Sequence, residues 1–257
     1  MLLYDFPKAY DLTYSPDFRK ETMNYFRMLF KNKKIKDVLD CSCGTGQMTI
    51  PLMKLGYNVI GSDSNLNMIN QAKKNAAEEN ITGNFIKSDF RELPKNIKRD
   101  FDIVMNTGNS LAHVENKFLL KSILSMDKVL KPGGILYIDS RNWDVILERK
   151  QRFYLSNPII RDKGRVNFLQ VWDYLKDGSM TFNFLLTEEI ENKLVGKRQF
   201  YTRYFPFELK TLLAIFEKLE YQNIKVTKLG DPSQSDTDNI DWYTITAVKP
   251  IPALQKK

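Results

Sequence analysis

Histidine is all but missing from this sequence and cysteine is scarce: His113 stands alone, and Cys41 and Cys43 are the only thiols in 257 residues. A zinc site needs about four Cys, His or carboxylate ligands, so no metal is expected. One residue separates the two cysteines, too little for a disulfide of ordinary geometry, and no disulfide framework exists. Long apolar runs are absent as well. The apolar runs present, such as Ile135 to Ile138, fall far short of the ~20 residues of a membrane span. The first residues show no basic stretch leading into an apolar segment and a small-residue cleavage site, so a cytoplasmic location is expected. Internal repeats and low-complexity segments are missing too. With 42% hydrophobic and 27% charged residues, the composition is that of a globular protein, neither disordered nor fibrous.

Acidic residues are the minority charge. The formal net charge is +8, densest at Lys31, Lys33, Lys34 and Lys36. Such a balance suits nucleic acid or an anionic substrate, but the lysines are scattered and no nucleic-acid-binding motif accompanies them, so a solvated surface is expected.

From residue 37, short β-branched runs alternate with helical patterns, the signature of an α/β fold with a mostly parallel sheet. Strands are expected at 37–40, 58–62, 85–87, 101–105 and 135–139. Helices are expected from Met48 to Leu55, closed by Gly56, from Ser64 to Asn80 with Leu66, Ile69 and 72–77 facing inward, and from Asn116 to Leu130. The fifth strand follows the turn Lys131-Pro132-Gly133-Gly134. The period then changes to two over 166–175 and 180–190, joined at Asp177-Gly178, which is a hairpin signal, with a third strand at 198–204. Residues 141–205 therefore read as an antiparallel insert that covers the mouth of a site. A helix after Pro206 through Leu219 and strands at 224–229 and 242–248 complete the sheet.

Chemistry concentrates at strand ends. Glycines placed directly after a strand let backbone approach a ligand, and the next helix presents its N–H groups there; Asp40-Cys41-Ser42-Cys43-Gly44-Thr45-Gly46 has that placement. A dinucleotide fingerprint wants a small residue three positions after Gly46, where this chain has Thr49, which argues against a nicotinamide cofactor. Asp63, closing the second strand, suits a grip on two ribose hydroxyls or, more plainly, a helix N-cap.

Val38-Leu39-Asp40 with Cys43-Gly44-Thr45-Gly46, then Gly61-Ser62-Asp63, then Asp89, resembles the motif series of class I S-adenosylmethionine-dependent methyltransferases over nearly the whole chain. The resemblance implies a Rossmann-like sheet with one antiparallel strand, in a single domain over 1–257. It also implies a cofactor-covering N-terminal segment at 1–30 and a substrate-covering insert at about 141–205. It implies S-adenosylmethionine as cofactor, with S-adenosylhomocysteine as product. Ser42, Gly44 and Gly46 would line its methionine and ribose portions. Asp63 would hold the ribose, Asp89-Phe90 would flank adenine, and Tyr10, Asp40, Ser64, Asn106, Ser110 and His113 would lie around it. Asp89 reads equally as a loop cap, and His113 as a structural residue at a helix entry.

Gly108-Asn109-Ser110-Leu111-Ala112-His113 and Asp139-Ser140-Arg141-Asn142-Trp143-Asp144 resemble the corresponding segments of the glycine N-methyltransferase family. That resemblance assigns Arg141 to a substrate carboxylate, which a guanidinium fork suits, and Asn109 to orienting the acceptor. Tyr14, Tyr154 and Tyr204 match the family's tyrosines around methyl group and substrate, while Phe184 stands where a further tyrosine is usual. A salt bridge from Arg141 to Asp139 or Asp144, and a plain core role for Tyr154 and Tyr204, remain alternatives.

The partner implied is a small amine, carboxylated as in glycine or sarcosine, with a homo-oligomer compatible and no nucleic acid or membrane. The rivals are a methyltransferase of an amino sugar, another amine or a hydroxyl, and a cofactor-binding sensor without turnover. Base methylation is poorly supported, since Asn106-Thr107-Gly108-Asn109 replaces the Asn-Pro-Pro-aromatic segment that holds a flipped base.

Overall fold

The computed structural model describes residues 2–252. Twelve strands form two sheets among these residues. The first sheet contains β1 (Asp37–Asp40), β2 (Asn58–Asp63), β3 (Asn84–Lys87), β4 (Phe101–Asn106), β5 (Leu130–Arg141), β11 (Gln222–Lys228) and β12 (Trp242–Val248). Their order is β11-β12-β5-β4-β1-β2-β3, and β12 runs antiparallel to both its neighbours while the remaining pairs are parallel. β1 and β4 are near-continuous apolar runs because helices cover both faces of the sheet: Val38, Leu39, Ile103, Val104 and Met105 are fully buried.

Strand order reverses between β1 and β4, since the chain moves outward through β2 and β3 and then returns to the other side of β1. The loops leaving these two strands diverge there, opening a crevice at the carboxyl ends, where open α/β sheets bind ligands.

The second sheet, β6 (Phe153–Leu155), β7 (Ile159–Arg161), β8 (Gly164–Tyr174), β9 (Met180–Ile190) and β10 (Lys193–Tyr204), lies in the chain between β5 and β11. Its hairpin turns at Asp177-Gly178, where Gly178 takes φ +80° and the Asp177 carboxylate accepts from the Ser179 N–H. Alternation along β8 and β9 sends Trp172, Met180, Phe182 and Phe184 inward. They join Trp143, Phe200, Tyr204 and the apolar residues under the first sheet in one core cluster.

The structure departs from the sequence reading in particular places. In the helix Leu66–Glu78, Met68, Ile69, Ala72 and Ala76 face the sheet, whereas Leu66 and Ala77 are exposed. The helix expected to reach Leu130 ends at Asp127, and Leu130 already opens β5, which runs on through Pro132-Gly133-Gly134 with a register shift against β4. The short strands β6 and β7 and the helix Trp143–Arg149 carried too little periodicity to be read from the sequence.

Candidate active site

The turn after β1 is held from beneath by Asp40, which is fully buried and accepts from Thr49 Oγ1 (2.7 Å), Thr107 Oγ1 (3.1 Å) and the Ser42 N–H (3.3 Å). One carboxyl thus ties the β1 turn, the start of the following helix and the β4 turn together. Burial pushes its pKa up to about 6 against the opposing effect of those donors. Ser42 Oγ bridges the crevice, donating to the Thr107 carbonyl (3.0 Å) and accepting from the Thr107 N–H (2.7 Å).

Gly44, at φ +52°, leaves its position open where a β-carbon would stand 3.9 Å from the Tyr10 ring. Its N–H donates to Asp63 (3.1 Å), whose other oxygen accepts from the Asn65 N–H (2.8 Å). Burial raises the Asp63 pKa, and the nearby Asp89 charge adds to the effect.

The N-terminal segment, with short helices at Leu3–Asp5 and Pro7–Asp11, lays three tyrosines over this crevice. Tyr4 OH lies 2.9 Å from His113 Nε2, and the Tyr10 and Tyr14 hydroxyls are 2.6 Å apart. Burial drives the three phenols above their ordinary pKa and lowers His113 to about 4, so this wall is uncharged near neutral pH. Arg161, on β7, donates to the Leu12 and Tyr14 carbonyls (3.3 and 2.8 Å) and so fastens the segment to the second sheet.

Two cavities lie beneath. One, of about 400 Å³, runs along the β1, β2 and β4 ends and is lined by Ser42, Gly44, Asp63, Ser64, Met68, Phe90, Ser110 and His113. The other, of about 680 Å³, lies at the β5 end and under the second sheet, and is lined by Asp139, Arg141, Tyr154, Phe168, Gln170, Phe184, Tyr204 and Trp242. Tyr4, Tyr10, Tyr14, Met48 and Gly108 belong to both walls.

Arg141 dominates the second cavity. Its guanidinium lies 4.9 Å from the Trp242 ring centre and 5.4 Å from those of Trp172 and Phe182, with one hydrogen bond, to Gln170 Oε1 at 3.3 Å. Burial pushes its pKa below the usual arginine value. Neither carboxylate near it in sequence pairs with it: Asp139 accepts from the Gly108 and Asn109 N–H groups, and Asp144 from the Leu209 N–H. Among the described residues this guanidinium has no ion-pair partner. A cation boxed by rings and aimed into a cavity can take a carboxylate from a ligand.

Known proteins of similar sequence and fold are methyltransferases. A family model described as a methyltransferase domain matches residues 38–134. The glycine/sarcosine N-methyltransferase of Aphanothece halophytica is 27% identical over 231 residues, covering 88% of this chain and 80% of that one. The crystal structure of an S-adenosylmethionine-dependent methyltransferase from Clostridium acetobutylicum superimposes with a TM-score of 0.75 at 15% identity, over 91% of this chain and 92% of the other. The chain carries a match to a methyltransferase domain and is similar over most of its length to S-adenosylmethionine-dependent methyltransferases. The fold is shared also with an amino pentose methyltransferase from Micromonospora echinaspora, solved with S-adenosylmethionine bound (TM-score 0.68, 15% identity, 97% of each chain).

Of the residues singled out in the sequence for the cofactor, Tyr10, Ser42, Gly44, Asp63, Ser64, Phe90, Ser110 and His113 line the smaller cavity of the methyltransferase, and four do not. Asp40 lies behind the turn. Gly46 packs against the sheet-facing helices, Asp89 caps the Phe90–Glu92 turn and pairs with Arg91, and Asn106 donates to Cys41 Sγ. Arg141, Tyr154 and Tyr204 line the larger cavity and Tyr14 lines both. Asn109 lines neither: its Oδ1 accepts from Ser140 Oγ (2.9 Å) and the Arg141 N–H (3.1 Å), which fixes the β5 end. The sequence reading misses Tyr4, Gln170 and Asp139 as cavity residues: Tyr4 and Gln170 sit in no motif, and Asp139, which opens the segment 139–144, enters it only as a salt-bridge partner of Arg141.

Gly46 illustrates a residue with a packing reason. At φ +85°, with a β-carbon 3.1 Å from Ile50 Cδ1, it tolerates a side chain badly. Gly46→Ala is expected to lower stability by about 1–3 kcal/mol, read as a fall in urea midpoint at unchanged slope. Cofactor affinity in the folded variant should move less than threefold.

Proposed function

We propose that this methyltransferase acts on the nitrogen of a small carboxylated amine, such as glycine or sarcosine. The observation that carries the reading is Arg141: a guanidinium surrounded by rings, without a paired carboxylate among the described residues, in a cavity that shares a wall with the cofactor-sized one. Burying that charge is costly unless a ligand compensates it, and a planar carboxylate matches the fork.

The smaller cavity has the volume and chemistry to hold S-adenosylmethionine. Asp63 suits the ribose hydroxyls, Phe90 and Met68 offer apolar faces for adenine, and the open Gly44 position with Ser42 suits the methionine part. When bound, the cofactor supplies a methyl group already activated on a sulfonium. The protein is left to position the acceptor, exclude water and keep the nitrogen unprotonated, so orientation dominates. Gln170 steadies the guanidinium, Asn109 fixes the backbone of Arg141, and Tyr14, Tyr154 and Tyr204 shape the approach. His113, neutral near pH 7, lends polarity to the wall.

The size of the larger cavity favours a second reading, a bulkier amine such as an amino sugar, because glycine would fill only a small part of about 680 Å³. Turnover of labelled S-adenosylmethionine with glycine, sarcosine, dimethylglycine and their carboxylate-free analogues separates the two. Methylation confined to the carboxylated amines is expected. Failure on all of them with cofactor binding intact sinks the first reading and favours the second.

A further inference from the structure

Asp139 occupies a position that the foregoing reading leaves without a task. It lies two residues before Arg141 on β5, so both side chains project from the same face of the strand, roughly 7 Å apart along it at ~3.3 Å per residue. Both line the larger cavity. The carboxyl is fully buried. Its Oδ1 accepts from the Gly108 N–H (2.8 Å) and the Asn109 N–H (3.2 Å), which fixes the side chain rigidly, while its Oδ2 has no hydrogen-bond partner among the described residues. A buried carboxylate oxygen without a donor is costly and rare, and an explanation is a donor that arrives with a ligand. Arg141 and Asp139 thus offer one cavity a cation and an acceptor, one for each end of an amino acid.

We propose that Asp139 receives the acceptor's ammonium and takes its proton. This rests on the amine-acceptor reading given above. One N–H bond breaks and its electron pair stays on nitrogen as the lone pair that attacks; an O–H bond forms at Asp139 Oδ2. The carboxyl later gives the proton to water, so each turnover of an ammonium substrate releases one proton. Asp139 is suited to the exchange because burial, reinforced by the Asp40 charge on β1, raises its pKa to about 7 against the two N–H donors and the nearby Tyr137 hydroxyl. The other titratable or charged groups around it are Tyr137 on its own strand, Tyr25 from the helix Phe18–Leu29, Tyr14 from the N-terminal segment, and Arg141, which lines the same cavity. The phenols stay protonated through the range in question.

The test pairs a variant with a measurement on the unaltered enzyme. Asp139→Asn keeps a carbonyl oxygen for the two backbone donors and removes the proton acceptor. Its kcat with sarcosine is expected to fall about 100-fold, S-adenosylhomocysteine affinity to stay within threefold, and the rise of kcat/KM through pH about 7 to disappear. With aminooxyacetate, a carboxylated acceptor whose nitrogen is already unprotonated, the deficit should shrink to less than tenfold. A kcat within threefold of wild type, or an unchanged pH limb, would assign Asp139 to loop support alone and overturn the proposal. Calorimetric titration of the S-adenosylhomocysteine-loaded wild-type enzyme with sarcosine, and with ethanolamine, in buffers of different ionisation enthalpy needs no variant. Proton release per amine bound should rise toward one as pH falls below about 7, where Asp139 in the free enzyme becomes protonated. Binding of either amine without proton release overturns the proposal. Ethanolamine binding with release, while sarcosine neither binds nor reacts, keeps Asp139 and instead removes the carboxylated substrate.

Discussion

Arg141→Ala is expected to lower kcat/KM for a carboxylated amine about 1,000-fold, while the folded enzyme still binds S-adenosylhomocysteine normally. Truncating one partner of a buried, hydrogen-bonded charge pair costs roughly 2–5 kcal/mol, because the other charge is left buried without compensation. A loss of about 4 kcal/mol corresponds to that factor. Arg141→Lys should recover only part of it, since an ammonium cannot present two parallel donors to a carboxylate. Stability should respond quite differently. The guanidinium has no ion-pair partner among the described residues, and removing a desolvated charge offsets much of the packing lost against the Trp172, Phe182 and Trp242 rings. The thermal midpoint of Arg141→Ala is therefore expected within a few degrees of wild type. Steady-state kinetics with sarcosine and a carboxylate-free amine, beside a thermal melt, check both. Equal losses on the two substrates would show that the arginine holds something other than a carboxylate.

Asp63→Ala should weaken cofactor binding on the order of 1,000-fold. Two hydrogen bonds to an ionised carboxylate contribute roughly 1.5–3 kcal/mol each, and the variant also frees the Gly44 and Asn65 N–H groups that shape the turn. Asp63→Asn keeps an acceptor for one of those two amides and turns an amino group on the other, so it should recover only part of the loss. The affinity should depend on pH as well. Burial and the Asp89 charge raise the Asp63 pKa in the free protein, and ribose hydroxyls favour the ionised form; cofactor binding is therefore full above the free-state pKa and declines as pH falls through it. Because that pKa lies above the ordinary aspartate value, the decline starts at higher pH than an unperturbed aspartate would give. Titration calorimetry of S-adenosylhomocysteine across pH tests the sign, and an affinity that rises on acidification would rule out the ionised carboxylate as the ribose partner.

Much of this architecture is legible in the sequence because its signals are local. A glycine turn directly after a buried strand, a carboxylate closing the next strand and the two-residue rhythm of β8 and β9 each leave a mark within a few positions. β12 was read with its observed bounds, since Trp242-Tyr243-Thr244-Ile245 alternates with β-branched and aromatic residues and nothing helical competes. The rest depends on contacts distant along the chain. Tyr4 reaches His113 across 109 positions, a pairing no window of sequence contains. Asn109 illustrates the opposite difficulty: its motif is clear, yet its side chain faces the β5 backbone instead of the cavity, and φ +61° at that residue sets the direction. Asp40, Asp89 and Gly46 belong to the recognisable motif series for reasons of support, and sequence pattern does not separate a residue that touches a ligand from one that holds the residue that does.

The wall shared by the two cavities carries a lesson for ligand design. Tyr4, Tyr10, Tyr14, Met48 and Gly108 line both spaces, so molecules bound in the two would lie against the same few side chains. A single compound that joins a nucleoside thioether to a carboxylated amine through a short, stiff link would occupy both and lose translational freedom only once. Its affinity should therefore exceed that of either half by several orders of magnitude when the link matches the span, and should collapse to that of the better half when it does not. A series of such compounds graded by link length would measure, in solution, the distance between the two bound groups.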